Sequence, residues 1–209
     1  MQLLQTIISY LVIAGACISS FFSWGDLEMI PYSNDYKIPE SIPEYSVIAT
    51  EEKTDWKAKW IWDKENLTEK NVWMCFNKRV KLDKIPEELV AHISADSKYW
   101  LYINGETVVY EGSVKRGPDK NSGYYDSIDI APYLKKGENS ICALVWFWDN
   151  ETSYSYSSSG QGGFIFEAIG EGVSIISDKS WKAKRNSAFV DSPLYPPNYR
   201  LPEYSIYFD

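Results

Sequence analysis

The sequence predicts an all-β domain, an antiparallel β-sandwich or jelly roll, and three observations carry that expectation. Apolar residues recur with a period of two along several short runs. Turn-forming residues separate those runs at close intervals. No segment of about ten residues or more carries a helical apolar stripe beyond the N-terminal leader. Composition agrees, with hydrophobic residues at 44% and aromatics at 16% of 209 residues. A chain of that length and content buries a core, and aromatic side chains suit pleated strands.

The elements follow in order. Trp60-Ile61-Trp62 reads as a short apolar strand. In the next run Val72, Met74, Phe76, Val80 and Leu82 share one face, with Lys78 the exception. Leu89, Ala91, Ile93 and Ala95 repeat the period. Tyr99, Leu101 and Ile103 alternate with Trp100 and Tyr102, so this strand is expected to be covered on both faces. Asn104-Gly105 then signals a two-residue type I′ hairpin, whose central residues both need positive φ. Residues 106–111 pair back along 98–103. Residues 124–130 form a further strand, Ala131-Pro132-Tyr133-Leu134 a single helical turn, and residues 136–139 a turn. In residues 140–148, Ile141, Ala143, Val145 and Phe147 alternate with Cys142, Leu144, Trp146 and Trp148. Strands at 163–169 and 173–176 end the series, and the Ser- and Tyr-rich stretch 153–159 is a loop.

The organisation is expected to be a leader at 1–22, a linker at 23–55, the sandwich at 56–190 and an extended connection to a further domain at 191–209. Residues 3–22 carry no charge and contain Ala14-Gly15-Ala16-Cys17. Small residues before the cut suit a signal peptidase. Two readings stay open: cleavage after Ala16, or lipidation of Cys17 as a lipoprotein. Both mean export, to the periplasm, the cell surface or the medium, with membrane contact only through a lipid on Cys17. Pro31, Pro39 and Pro43 punctuate the linker, which would tether the domain.

Charge and rare residues exclude several functions. The net charge is −8, and the 21 basic residues form no stripe along the sequence. Nucleic acid is therefore excluded as a partner, because phosphate contacts need clustered Lys and Arg. With 3 Cys and 1 His, a zinc site is excluded too. His92 lies in an apolar run and reads as a packed histidine rather than a triad member. Cys75 and Cys142 lie in strands. Export permits a disulfide between them, but the reading favours two buried free thiols. Asn66-Leu67-Thr68 and Asn150-Glu151-Thr152 match the glycosylation pattern.

The stretch Ser94-Ala95-Asp96-Ser97-Lys98-Tyr99-Trp100-Leu101-Tyr102-Ile103-Asn104-Gly105-Glu106 resembles the N-terminal β-sandwich of bacterial α-L-rhamnosidases, family 78 glycoside hydrolases. Arg116-Gly117-Pro118, Tyr125-Asp126 with Asp129, Pro132-Tyr133-Leu134 and Gly137-Glu138-Asn139 extend the resemblance in order. So do the strand to Trp148, Ser158-Ser159-Gly160, Gly162-Gly163-Phe164 and the opening Trp60-Ile61-Trp62. The resemblance covers roughly half the chain and implies a galactose-binding-like accessory domain, which in some relatives binds a terminal sugar with calcium. The family's catalytic acids lie in an α/α barrel that nothing here could form, so no catalytic residue is assigned.

Two loops carry the candidate binding residues. A sugar site combines an aromatic platform with carboxylate and amide partners. The loop ending at Asp126 offers Asp119, Asn121, Tyr124 and Tyr125; the loop after Trp148 offers Trp148, Asn150 and Tyr154. Tyr124, Tyr125, Trp148, Asn150 and Tyr154 are the expected carbohydrate contacts. Asp119 and Asn121 are expected ligands for Ca²⁺, a cation that takes oxygen donors. Asp126 and Asp129 have the composition of a glycosidase pair, but read as structural. The expected function is a non-catalytic module that packs on a downstream catalytic domain and binds a plant or microbial glycan. The alternative is a structural surface-lipoprotein domain that recognises another protein.

Overall fold

The computed structural model describes residues 55–65, 67–112, 123–148, 158–191 and 206–208. The strands are β1 (Val72–Leu82), β2 (Val90–Asp96), β3 (Lys98–Ile103), β4 (Glu106–Gly112), β5 (Asp126–Asp129), β6 (Gly137–Phe147), β7 (Gly163–Gly170), β8 (Val173–Ile176), β9 (Lys182–Arg185), β10 (Phe189–Asp191) and β11 (Ile206–Phe208). They form a five-stranded sheet in the order β4-β3-β6-β1-β9, a four-stranded sheet in the order β5-β2-β7-β8, and the pair β10-β11. Every pairing between these strands is antiparallel. The expected antiparallel β-sandwich is the fold observed.

The period-two pattern decides which residues meet between the sheets. Val72, Met74 and Phe76 of β1, Tyr99, Leu101 and Ile103 of β3, and Ile141, Ala143 and Val145 of β6 point inward from one sheet. Ala91, Ile93 and Ala95 of β2 with Phe164, Phe166 and Ala168 of β7 meet them from the other. The alternate residues of the five-stranded sheet make a second apolar layer on its outer face: Trp73, Cys75, Trp100, Tyr102, Leu144, Trp146 and Trp148. Trp73 stacks on Trp146 at 4.4 Å and on Phe189 of β10 at 4.1 Å. Ile206 of β11 packs on the same layer. The strand at 98–103 is thus covered on both faces, as its unbroken aromatic content predicts.

The hairpin turn forms as expected. Asn104 and Gly105 take φ of 54° and 88°, the two positive values a type I′ turn requires. Asn104 also does something beyond turning the chain. Its Nδ2 donates to the Tyr133 carbonyl at 2.8 Å and to Asn139 Oδ1 at 2.8 Å, and its Oδ1 accepts from the Ser140 N–H at 3.1 Å. Asn139 in turn accepts from the Lys135 N–H at 2.8 Å and donates to the Lys135 carbonyl at 2.7 Å. The hairpin, the single 3-10 turn (Ala131–Tyr133) and the entry to β6 are thereby knitted into one corner.

Several boundaries differ from the sequence reading. Trp60-Ile61-Trp62 makes one isolated bridge, Ile61 to Phe164, rather than a strand. Of residues 124–130 only Asp126–Asp129 forms a strand. β6 already begins at Gly137, inside the expected turn. β9 is absent from the sequence reading, because all of its residues are exposed and Ala183 is its one apolar member, too little for a period. Ile206–Phe208, within the expected C-terminal connection, pairs back onto β10.

Candidate functional site

The residues ahead of β1 are pinned to the four-stranded sheet. Glu167, buried on β7, accepts the N–H groups of Lys57 at 2.6 Å and Ala58 at 2.8 Å. The Lys59 N–H donates to the Ser177 carbonyl at 2.8 Å, and the Ser177 hydroxyl donates to the Lys59 carbonyl at 2.6 Å. Two close approaches then fix the tryptophans. A Cβ at Gly163 would fall 2.8 Å from Trp60 Cε3, and one at Gly162 would fall 2.2 Å from Trp62 Cε2. Only glycine lets the indoles lie this close to the β7 entry.

This arrangement leaves a cleft of about 590 Å³ where residues 59–62, the β1–β9 edge and the β8–β9 link meet. Its lining includes Trp60, Trp62, Phe76 and Trp181, with Lys59, Asp178 and Lys179 as the charged members. Trp62 packs 5.8 Å from Phe76 and 6.1 Å from Phe147, so its ring belongs to the wall. Trp60 is 53% exposed and offers a free indole surface. Beside it runs a polar chain. Lys78 Nζ donates to the Ser180 hydroxyl, which donates to Asp178 Oδ1, and the Ser180 N–H reaches the same oxygen at 2.9 Å. These Ser180 bonds, the hydroxyl first, hold the Asp178 carboxyl below the usual carboxylate range, so it stays ionised. Lys78, the exception in the β1 pattern, belongs to this rim.

An exposed indole flanked by a fixed carboxylate and ammonium groups has the parts a sugar site needs. The apolar face of a pyranose stacks on the ring, and its hydroxyls meet charged hydrogen-bond partners.

The residues singled out from the sequence lie elsewhere. Tyr124 is 59% exposed, and its carbonyl accepts from the Ser94 hydroxyl at 2.9 Å. Tyr125 stands edge-on to Trp56 at 5.6 Å and to His92 at 5.3 Å. His92 Nδ1 lies 2.9 Å from the Ser127 hydroxyl, a packed and hydrogen-bonded histidine. Trp148 is 2% exposed in the outer aromatic layer, edge-on to Trp146 at 5.7 Å, with Lys98 Nζ 5.3 Å over its ring. Its ring therefore contacts protein rather than solvent. Trp148 lies on the outer face of the five-stranded sheet and Tyr125 beside His92 on that of the four-stranded sheet, so the fold does not bring them together. Asn150, Tyr154, Asp119, Asn121 and Cys17 lie outside the described residues.

The paired acids are structural. Asp126 is buried and accepts from the Tyr99 hydroxyl of the opposite sheet at 2.5 Å. Asp129 Oδ1 accepts from the N–H groups of Leu89 at 2.9 Å and Ala131 at 3.0 Å. Three residues apart on a strand, they face opposite sides. Buried Asp96 has a similar duty: its Oδ2 takes the Ser159 N–H and hydroxyl, each at 2.7 Å, which closes the Ser158–Gly160 corner. Cys75 and Cys142 are free thiols, with Cys75 opposite Leu144 and Cys142 opposite Asn77 in the ladder. Among the described residues, no three His, Cys, Asp or Glu side chains gather as a metal shell.

Solved structures place this geometry among known folds. A GH78 family rhamnosidase of Bacillus sp. GL1 is 31% identical over 64% of this chain, with a TM-score of 0.57. The α-L-rhamnosidase from Dictyoglumus thermophilum is 23% identical over 66% of the chain, with a TM-score of 0.52. The chain is a β-sandwich related in structure to these rhamnosidases. It spans 14% of the first protein and 17% of the second, a small part of each. No family profile and no curated protein matches the chain.

Several of the motif blocks that carry the resemblance touch one another in the fold, whereas Arg116-Gly117-Pro118 lies outside the described residues. Asn104, Tyr133 and Asn139 meet in one hydrogen-bonded corner, Asp96 meets Ser159, and Tyr99 meets Asp126. They are contacts of the scaffold rather than of a ligand. The cleft residues Asp178, Lys179 and Ser180 gave no signal in the sequence. The exposed Trp60 was visible only as part of an apolar triplet.

Proposed function

We propose that this chain is a non-catalytic accessory module of an α-L-rhamnosidase-like glycoside hydrolase, and that it binds carbohydrate, a plant or microbial glycan, on its surface. The observation that carries the reading is the 31% identity to a GH78 family rhamnosidase, over 64% of this chain and 14% of that protein. The Trp60 cleft supports the binding half, since it combines an open aromatic face with an ionised carboxylate. Packing on a downstream catalytic domain is the other half. Export, with or without a lipid on Cys17, and a calcium ion held by Asp119 and Asn121 belong to the same proposal.

Calorimetry of the full chain with L-rhamnose and a glycan panel, with calcium and with chelator, tests the binding half. Saturable heat with at least one sugar is the expected result, and calcium-dependent heat supports the metal. Flat responses to every sugar in both conditions sink carbohydrate binding. They would favour the second reading, a surface domain that recognises protein.

A further inference from the structure

We propose that the Trp60 cleft takes an acidic sugar, a uronate unit of a polysaccharide, whose carboxylate pairs with Lys59 and Lys179. The inference rests on the carbohydrate reading above and adds the charge of the ligand. The chain as a whole carries −8, so its surface repels anions at long range. The cleft reverses that sign: it is lined by Lys59 and Lys179 against Asp178 alone among the acids. Lys78 brings another ammonium to Ser180 at the rim. β9 contributes Ala183 to the cleft, while its Lys182 and Lys184 alternate to the other face of the sheet, beside Asn77 and Cys75. Lys59 and Lys179, far apart in the sequence, are brought by the fold to one cleft.

The β9 lysines have a plainer account. Lysines on an edge strand block unwanted strand pairing, and β9 is the edge of its sheet. That account covers Lys182 and Lys184. It leaves out Lys59, which lies in the segment ahead of β1, and Lys179, which lies in the β8–β9 link. Both flank an indole that is half open to solvent. An inorganic anion would gain nothing from that ring, whereas a uronate has a pyranose face to stack on it and a carboxylate to pair with an ammonium. Asp178 is bonded to Ser180 through Oδ1, and a carboxylate so held keeps acceptor capacity for a sugar hydroxyl. The cleft volume also lies within the ordinary span of ligand pockets, about 300–1,000 Å³.

The test uses the full chain, calorimetry and tryptophan fluorescence, with a uronate oligosaccharide and its carboxyl-reduced neutral counterpart. The uronate is expected to bind at least about tenfold more tightly than the neutral sugar. Raising ionic strength towards about 1 M, where the screening length falls to roughly 3 Å, should erase most of that preference. Trp60→Ala should abolish uronate binding. Lys59→Gln with Lys179→Gln should leave a weak, charge-blind response. These are surface changes, and unaltered thermal melts confirm that the variants fold. Equal affinity for the two sugars, no binding of uronate, or uronate binding untouched by Trp60→Ala each overturns the proposal. If L-rhamnose still binds while uronate does not, only this inference falls. Loss of response to all sugars removes the carbohydrate reading with it.

Discussion

Replacing Asn104 with Gly separates the two duties of that residue. Glycine accepts the positive φ of 54° at this position, so the type I′ turn is kept. What is lost is the side chain, with its bonds to the Tyr133 carbonyl, Asn139 Oδ1 and the Ser140 N–H, at 2.8, 2.8 and 3.1 Å. Each neutral hydrogen bond is worth about 0.5–1.5 kcal/mol net. Asn139 Oδ1 keeps the Lys135 N–H, and the site is only half-buried, so water recovers part of the loss. The expected cost is about 2–3 kcal/mol. For a chain of this size each kcal/mol lowers Tm by roughly 2–4 °C, so a drop of about 4–12 °C should follow. Thermal and urea unfolding of wild type and variant measure it. Were Asn104 simply a turn former, the substitution would be nearly neutral. A loss below about 0.5 kcal/mol, within the scatter of ordinary surface changes, would refute the corner network.

Other outcomes follow from buried contacts. Tyr99→Phe removes the inter-sheet bond to the Asp126 carboxylate, and a bond to a charged group is worth about 1.5–3 kcal/mol; the urea midpoint should fall with an unchanged m-value, and an unmoved midpoint would speak against it. Gly112→Ala places a Cβ 2.1 Å from Tyr99 Cε1, on a ring that Asp126 holds in place. The overpacking should cost about 1–3 kcal/mol in a thermal melt, and a variant as stable as wild type would show that the ring moves freely. Burial pushes the Cys142 thiol up, and Cys75 is fully buried. Both should react slowly with a thiol reagent at neutral pH and rapidly in denaturant, with identical mobility on reducing and non-reducing gels. Because the folded state holds the Cys142 proton more tightly than the unfolded chain does, its contribution is fully present below the ordinary thiol range. It is lost as pH rises through the raised value, so stability should fall on the alkaline side. A rise there would contradict the burial.

Strands with alternating apolar residues were legible without a structure, because each residue's facing is set by its immediate neighbours. β1, β2 and β3 fall where the period places them, and so does β6 from Ser140 onward. β9 was not legible, since an exposed edge strand with a single alanine among charged residues carries no apolar run. Trp60–Trp62 misled in the other direction. Its residues are apolar because they wall a cleft and cap the core, not because they form a ladder. Trp148 reads from the sequence as an aromatic platform because it opens a loop that also holds Asn150 and Tyr154. The aromatic layer on the outer face of the five-stranded sheet takes it instead.

The sequence by itself determined the fold class, the hairpin at Asn104-Gly105 and the inward face of each main strand. Those are local properties, governed by side-chain period and by backbone φ over a few residues. Only the tertiary structure decided what Asn104 bonds beyond its turn, and that Lys59, Trp60, Asp178 and Lys179 share one cleft. Lys59 and Lys179 are far apart in the chain and meet because β7 and β8 carry their segments to one edge. No local pattern encodes such a meeting, since it depends on which strands pair and in what register.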